Sequence, residues 1–157
     1  KVLIEPKVKH TEVLKVVGID GKDKMGKSLN NHIELAATPE ETTKRVREMV
    51  TDPARQRKTD PGNPDVCNVF TMHKIFSPQE EVDMINVECR RAGIGCVDCK
   101  MRLASNLNKH LEPFRAKRAE FEAKPAEVQG ILNDGGKRAR AIAKETMSEV
   151  REAMKLP

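Results

Sequence analysis

Apolar and polar positions change rhythm twice along this chain. Residues 1 to 17, "KVLIEPKVKHTEVLKVV", mix β-branched and aliphatic side chains with charges and Pro6, a pattern that predicts one or two short strands. Gly18 to Asn31 is polar and rich in turn residues, and reads as a loop. Thr38-Pro39-Glu40-Glu41 then offers an N-cap threonine, a proline at the first helical position and a glutamate at the third. That capping box predicts a helix to about Val50, where "TDPARQRKTDPGNPD" breaks it with three prolines and a glycine.

Ser77-Pro78-Gln79-Glu80 repeats the start signal, Val82, Met84, Ile85 and Cys89 supply an apolar side, and Gly93 is placed to cap the end. From Val97 the positions Met101, Ala104, Leu107, Leu111, Phe114 and Phe121 recur at helical spacing, with Pro113 expected to bend the helix. After Pro125 a last helical region carries Ala139, Ile142, Ala143, Met147, Val150 and Met154, with a nick expected at Gly135-Gly136. The predicted fold is mainly α: a helical bundle over 38–157, preceded by a short β-containing segment over 1–37.

At 157 residues the chain can hold one domain with a real core, or one domain plus a piece of another. No apolar run approaches the roughly eighteen residues that a membrane span needs, which excludes that class. Lys and Arg number 29 against 24 Asp and Glu, a net +5 that permits anionic partners such as nucleotides or RNA without requiring them. The first residue is Lys and no charged-then-apolar leader opens the chain, so it reads as a piece of a longer, cytoplasmic protein.

Two features carry candidate chemistry. Gly21 to Ser28 satisfies G-x-x-x-x-G-K-[ST], the phosphate loop of nucleoside triphosphatases. That loop needs a long helix immediately after it and a parallel sheet around it, and neither is predicted here. The same stretch contains Lys24-Met25-Gly26-Lys27-Ser28, a variant of the K-M-S-K-S loop that follows a strand and leads into a helical domain in class I aminoacyl-tRNA synthetases. Two lysines on such a loop can stabilise charge building on a departing pyrophosphate. A solvated surface turn is the plain alternative.

The second feature is the cysteine set, Cys67, Cys89, Cys96 and Cys99, spaced C-x21-C-x6-C-x2-C. In a cytosolic protein these are poor candidates for disulfides. Cys96 and Cys99 fall at a predicted helix start, and the turn "RRAGIG" can return Cys89 beside them. Four converging thiolates suit zinc or a [4Fe–4S] cluster, and the chemistry leaves the two close. The alternative is four small buried hydrophobes. His73 is a further candidate ligand for zinc. For RNA contact the basic candidates are Arg90 and Arg91, beside the cysteines, and Lys137, Arg138, Arg140 and Lys144; Lys137, Arg140 and Lys144 share one helical face.

"GIDGKDKMGKSLNN", "TPEETTKRVREMVTDPARQRKTDPGNPDVCNVF" and "DGGKRARAIAKETMSEVREAM" resemble, in order, the C-terminal portion of the bacterial tryptophanyl-tRNA synthetases. The resemblance spans essentially the whole chain. It implies that residues 1–37 end a Rossmann-like catalytic domain and that 38–157 form a helical anticodon-binding domain. It further implies ATP with Mg²⁺ as substrate, its phosphates held by Lys24, Gly26, Lys27 and Ser28, with Lys24 and Lys27 as the catalytic groups. Tryptophan and tRNA(Trp) are the implied partners, and a homodimer forms through the part upstream of this chain. Some members hold a [4Fe–4S] cluster on four cysteines at nearly this spacing, the first gap here being one residue shorter. Gly26 stands where the family has serine, which removes a hydroxyl and adds flexibility. The two rival readings are a P-loop nucleotide hydrolase and a non-enzymatic RNA-binding metal module.

Overall fold

The side-chain oxygen of Thr38 accepts the Glu41 N–H at 3.2 Å, and the Glu41 carboxylate accepts the Thr38 N–H at 2.8 Å. With Pro39 in the first turn, this reciprocal pair starts α1, Pro39–Glu48, as the capping box predicts. The computed structural model describes residues 2–11 and 13–157. Four more α-helices follow: α2 Asn68–Phe76, α3 Gln79–Arg90, α4 Cys96–Glu122 and α5 Pro125–Met154.

The segment before α1 departs from expectation. Among the described residues it contains no strand, only an isolated antiparallel bridge between Val17 and Lys24. Extended backbone becomes a strand only when a neighbour takes its N–H and C=O groups. Residues 13 to 15 pair with no strand among the described residues, and Pro6 removes a donor earlier in the run. Lys1 and Glu12, which the expected strands include, lie outside the described residues.

Helix α2 was not evident from pattern. "NVFTMHKIF" is short, and the proline-rich stretch before it obscures its start; burial of Val69, Phe70, Met72 and His73 holds it in place. Helix α3 begins at Gln79, yet Ser77 does not cap it, because its hydroxyl is engaged by His73 and Asn106. At the other end the left-handed residue is Ala92 (φ 61°) rather than Gly93. Gly93 N–H donates to Glu88 O at 2.7 Å and Ala92 N–H to Cys89 O at 3.2 Å, the paired bonds of a Schellman turn with alanine in the glycine position. Helix α4 runs through Pro113, and α5 runs unbroken through Gly135 and Gly136.

The chain divides into two compact units, residues 11–116 and residues 2–10 together with 117–157. The first owns the core. Val46, Val69, Phe70 and Met72, Val82 and Ile85, and Leu103, Ala104, Leu107 and Leu111 come from α1 to α4, with Met49 added from just beyond α1, Ile19 from the loop and Ile94 from the α3–α4 turn. Each such aliphatic side chain removed from water contributes roughly 1.5–3 kcal/mol. A polar seam ties α1 to α4: Arg115 donates to the Thr42 hydroxyl at 2.8 Å, and Asn108 to Pro39 O at 3.2 Å. In the second unit, α5 buries none of its side chains.

Candidate functional site

The lysine loop is a closed turn. Gly18 N–H donates to Asp23 O and Met25 N–H to Val16 O, both at 2.9 Å, which pins the two ends of the turn together. After Gly26 the chain makes a single 3₁₀ turn, Lys27–Leu29, ending at Asn30 in the left-handed region (φ 49°). A phosphate loop of the nucleoside triphosphatase kind continues into a long helix, so this geometry overturns that rival reading.

Inside the turn lies Asn31, 2% exposed. Its Oδ1 accepts the Gly26 N–H at 2.8 Å, and its Nδ2 donates to Asp20 Oδ2 at 2.8 Å. The Asp20 carboxylate also accepts the Lys22 N–H at 3.0 Å. That bond first, and the Asn31 amide second, hold the Asp20 pKa below its ordinary value. Lys24 and Lys27 project outward and are exposed; Lys27 lies 3.9 Å from the exposed Glu34 carboxylate, a weak pair. Ser28 is exposed on the 3₁₀ turn. Arg45 of α1 reaches back to donate to His32 O at 3.1 Å and to Asn30 O, fixing the exit of the loop.

The four cysteines occupy one region of the first unit, and all are free thiols. Cys67 precedes α2, Cys89 lies near the end of α3, and Cys96 and Cys99 sit in the first turn of α4. Burial pushes the Cys99 thiol up to about 12, and the charges of Cys67, Cys89 and Cys96 add to that rise. Burial likewise raises Cys89, against the lowering effect of Arg55. Among the described residues no three His, Cys, Asp or Glu side chains stand in a metal-holding arrangement. The donor set is right in kind, four soft thiols without a disulfide, but ligation would require their side chains to close on a shared centre.

His73 does not join them as a ligand. It is fully buried; its Nε2–H donates to Cys99 O at 3.1 Å, and its Nδ1 accepts the Ser77 hydroxyl at 2.6 Å. The carbonyl can only accept, which fixes the tautomer and leaves neither ring lone pair for a metal. Burial holds its pKa below the ordinary value, consistent with the neutral ring.

Three residues around the thiols went unnoticed in the sequence. Arg55 donates to Lys58 O at 2.8 Å and Ile94 O at 2.9 Å, and its Nη1 lies 3.8 Å from Cys89 Sγ. Buried Asp52 accepts the N–H groups of Ala54 and Asn63, ordering the proline-rich loop. Gly62 donates its N–H to Cys89 O at 2.9 Å, and a Cβ on it would fall 2.6 Å from Cys89 Sγ. The motif "PGNP" was a signal for a turn, not for a thiol pressed against its glycine.

The basic candidates divide. Arg90 is paired with Asp65 at 2.7 Å and holds that carboxyl below its ordinary pKa, while Arg91 is clamped on Glu88. Arg138 lies 3.3 Å from Asp134. Lys137, Arg140 and Lys144 are exposed along α5, and Arg140 and Lys144 share a shallow groove with Met147 and Arg151.

Compared with known proteins, the sequence matches the family described as tRNA synthetases class I (W and Y) over residues 2–112. The chain belongs to that family. The span matched by the family contains the lysine loop, α1 to α3 and all four cysteines, and it stops before α5. The chain is 44% identical over 158 residues to the tryptophan–tRNA ligase of Aquifex aeolicus, covering 100% of itself and 40% of that protein. It is 44% identical over 149 residues to the tryptophan–tRNA ligase of Deinococcus radiodurans, covering 94% of itself and 45% of that protein. It therefore spans less than half the length of these synthetase relatives. A crystal structure of tryptophanyl-tRNA synthetase from Campylobacter jejuni complexed with ADP and tryptophan superimposes with a TM-score of 0.80 at 31% identity. That superposition covers 94% of this chain and 45% of the other. No helix among the described residues is long and apolar enough to cross a membrane.

Proposed function

We propose that this chain is the C-terminal part of a cytoplasmic tryptophan–tRNA ligase, supplying the pyrophosphate-side lysine loop and the anticodon-binding helices. The observation that carries the reading is the braced turn at 18–31, which leaves Lys24 and Lys27 both exposed on a hydrogen-bonded backbone. In the reaction, a carboxylate oxygen of tryptophan attacks the α-phosphorus of Mg-ATP. A new P–O bond forms to give tryptophanyl-adenylate, the α–β bridging P–O bond breaks, and pyrophosphate leaves with its electron pair. Charge grows on the departing oxygens, and two ammonium groups aimed there lower the barrier by electrostatic stabilisation without moving a proton. The tryptophanyl group then passes to tRNA(Trp).

In this reading residues 1–37 close the catalytic domain, whose remainder carries the tryptophan pocket and the homodimer contact, and 38–157 meet the anticodon. Lys137, Arg140 and Lys144, exposed on α5 and in no ion pair among the described residues, are better placed for phosphate contacts than Arg90 and Arg91, whose charges are already partnered. Cys67, Cys89, Cys96 and Cys99 would hold a [4Fe–4S] cluster, or zinc in its place. A bound cluster would cross-link the loop before α2 to α3 and α4. The four thiols lie near enough to act on one another at Cys99, and the Arg55 cation 3.8 Å from Cys89 Sγ favours a thiolate there; the nearness and the cation support this.

The test is tryptophan-dependent pyrophosphate exchange by the full-length protein that contains this chain. Exchange is expected with tryptophan and not with tyrosine. A folded full-length protein without exchange would leave the RNA-binding metal module as the better reading. Protein purified without oxygen is expected to carry about four irons with sulfide and a broad brown absorbance; about one zinc without colour would select the alternative metal.

A further inference from the structure

Among the described residues, Asn31 is the only buried polar side chain between Lys22 and Thr38. Its carboxamide is bonded on both faces. The oxygen takes the N–H of Gly26, between the two lysines, and the nitrogen donates to the Asp20 carboxylate at the start of the turn and, more weakly at 3.4 Å, to Lys24 O. Its main-chain oxygen accepts the Ile19 N–H at 2.8 Å. One side chain thus binds the entry and the centre of the loop that presents Lys24 and Lys27.

The anchor continues into the helical part. Asn31 packs on Gly18 so closely that a Cβ there would fall 2.2 Å from its Nδ2. The carbonyl of Gly18 accepts the amide of buried Asn68, the first residue of α2, at 2.7 Å. Loop, Asn31, Gly18 and α2 therefore form one connected bracket. The bracket also occupies the Gly26 N–H, so the phosphates would meet the lysine ammonium groups rather than that backbone donor.

We propose that Asn31 is a positioning residue for activation: it sets the aim of Lys24 and Lys27 through its bonds to Gly26 and Asp20. This rests on the ligase reading. An amide is required because one face must accept from an N–H while the other donates to a carboxylate. Aspartate keeps the acceptor and places a second carboxylate against Asp20. Exchanging the pair, with asparagine at 20 and aspartate at 31, restores a donor and an acceptor across the same gap.

The experiment compares the full-length wild type, Asn31→Asp, and the double variant Asp20→Asn/Asn31→Asp, in pyrophosphate exchange and thermal unfolding. For Asn31→Asp, kcat is expected to fall on the order of tenfold or more, because a misaimed loop loses contacts made in the transition state. KM for tryptophan is expected to stay within about twofold, since its pocket is elsewhere. The double variant is expected to recover most of the lost kcat. An Asn31→Asp enzyme with wild-type kcat, or a folded double variant as slow as the single one, overturns the proposal. A rise in KM for tryptophan matching the fall in kcat also overturns it, by showing general damage. A wild type without exchange overturns the ligase reading and this proposal with it, whereas an active wild type with indifferent variants overturns this proposal alone.

Discussion

Gly62 and Cys89 illustrate how one missing methyl governs a site. The thiol occupies the space that any side chain at 62 would need, since a Cβ would come within 2.6 Å of the sulfur. Gly62→Ala must therefore push the Cys89 side chain aside, at a cost of about 1–3 kcal/mol for an overpacked position. The expected outcome is a lower midpoint in urea than that of the wild type. Gly26 is the contrasting case. A Cβ there meets nothing nearer than Lys24 O at 3.8 Å, so Gly26→Ser should be accommodated with unchanged stability, read by thermal unfolding. Asp20 adds a pH dependence. Its folded pKa lies below the ordinary carboxylate value, so its contribution is full above that ordinary value and is lost as pH falls through the lowered folded value. Comparing urea midpoints of wild type and Asp20→Asn, the wild-type advantage should shrink on acidification below about pH 4.

Individual helices show what could be read from the sequence and what could not. The start of α1 was legible because a capping box is local: Thr38 and Glu41, three positions apart, make both hydrogen bonds. Thr38→Ala is expected to cost about 1 kcal/mol, measured as a shift in urea midpoint without a change in slope. The similar signal at Ser77 marks the start of α3 but not its cap, because His73, one turn back on α2, and Asn106 of α4 engage the hydroxyl. The strand expectation for 1–17 failed for a related reason: pairing depends on a neighbour that local pattern does not contain. Helix α2 was missed because its nine residues are specified by burial rather than by caps or length. The lysines and cysteines of the candidate site were legible as letters. Asn31, Arg55, Asp52 and Gly62, which hold them, were not, because their partners are remote in sequence or depend on how a loop closes.

The chain as a unit joins two kinds of surface: a tightly bonded loop and buried four-helix core in 11–116, and a long exposed helix in the remainder. If the loop serves activation and α5 serves RNA, damage to one should spare the other. Lys27→Ala in the full-length enzyme is expected to slow pyrophosphate exchange on the order of tenfold to a hundredfold while changing tRNA affinity little. Equal losses in both, from parallel exchange and binding assays, would contradict the division.

The thirty residues of α5 have no buried side chain, and three of its glycines face open space. Its hydrogen bonds are consequently protected by little beyond helix propensity, which each interior glycine lowers by about 1 kcal/mol relative to alanine. In deuterated water the amides of α5 should exchange long before those of α2 or α3, whose carbonyl and N–H groups open only with the core. A polyanion lying along Lys137, Arg140 and Lys144 would register first as slowed isotope uptake in this helix, with the interior unchanged.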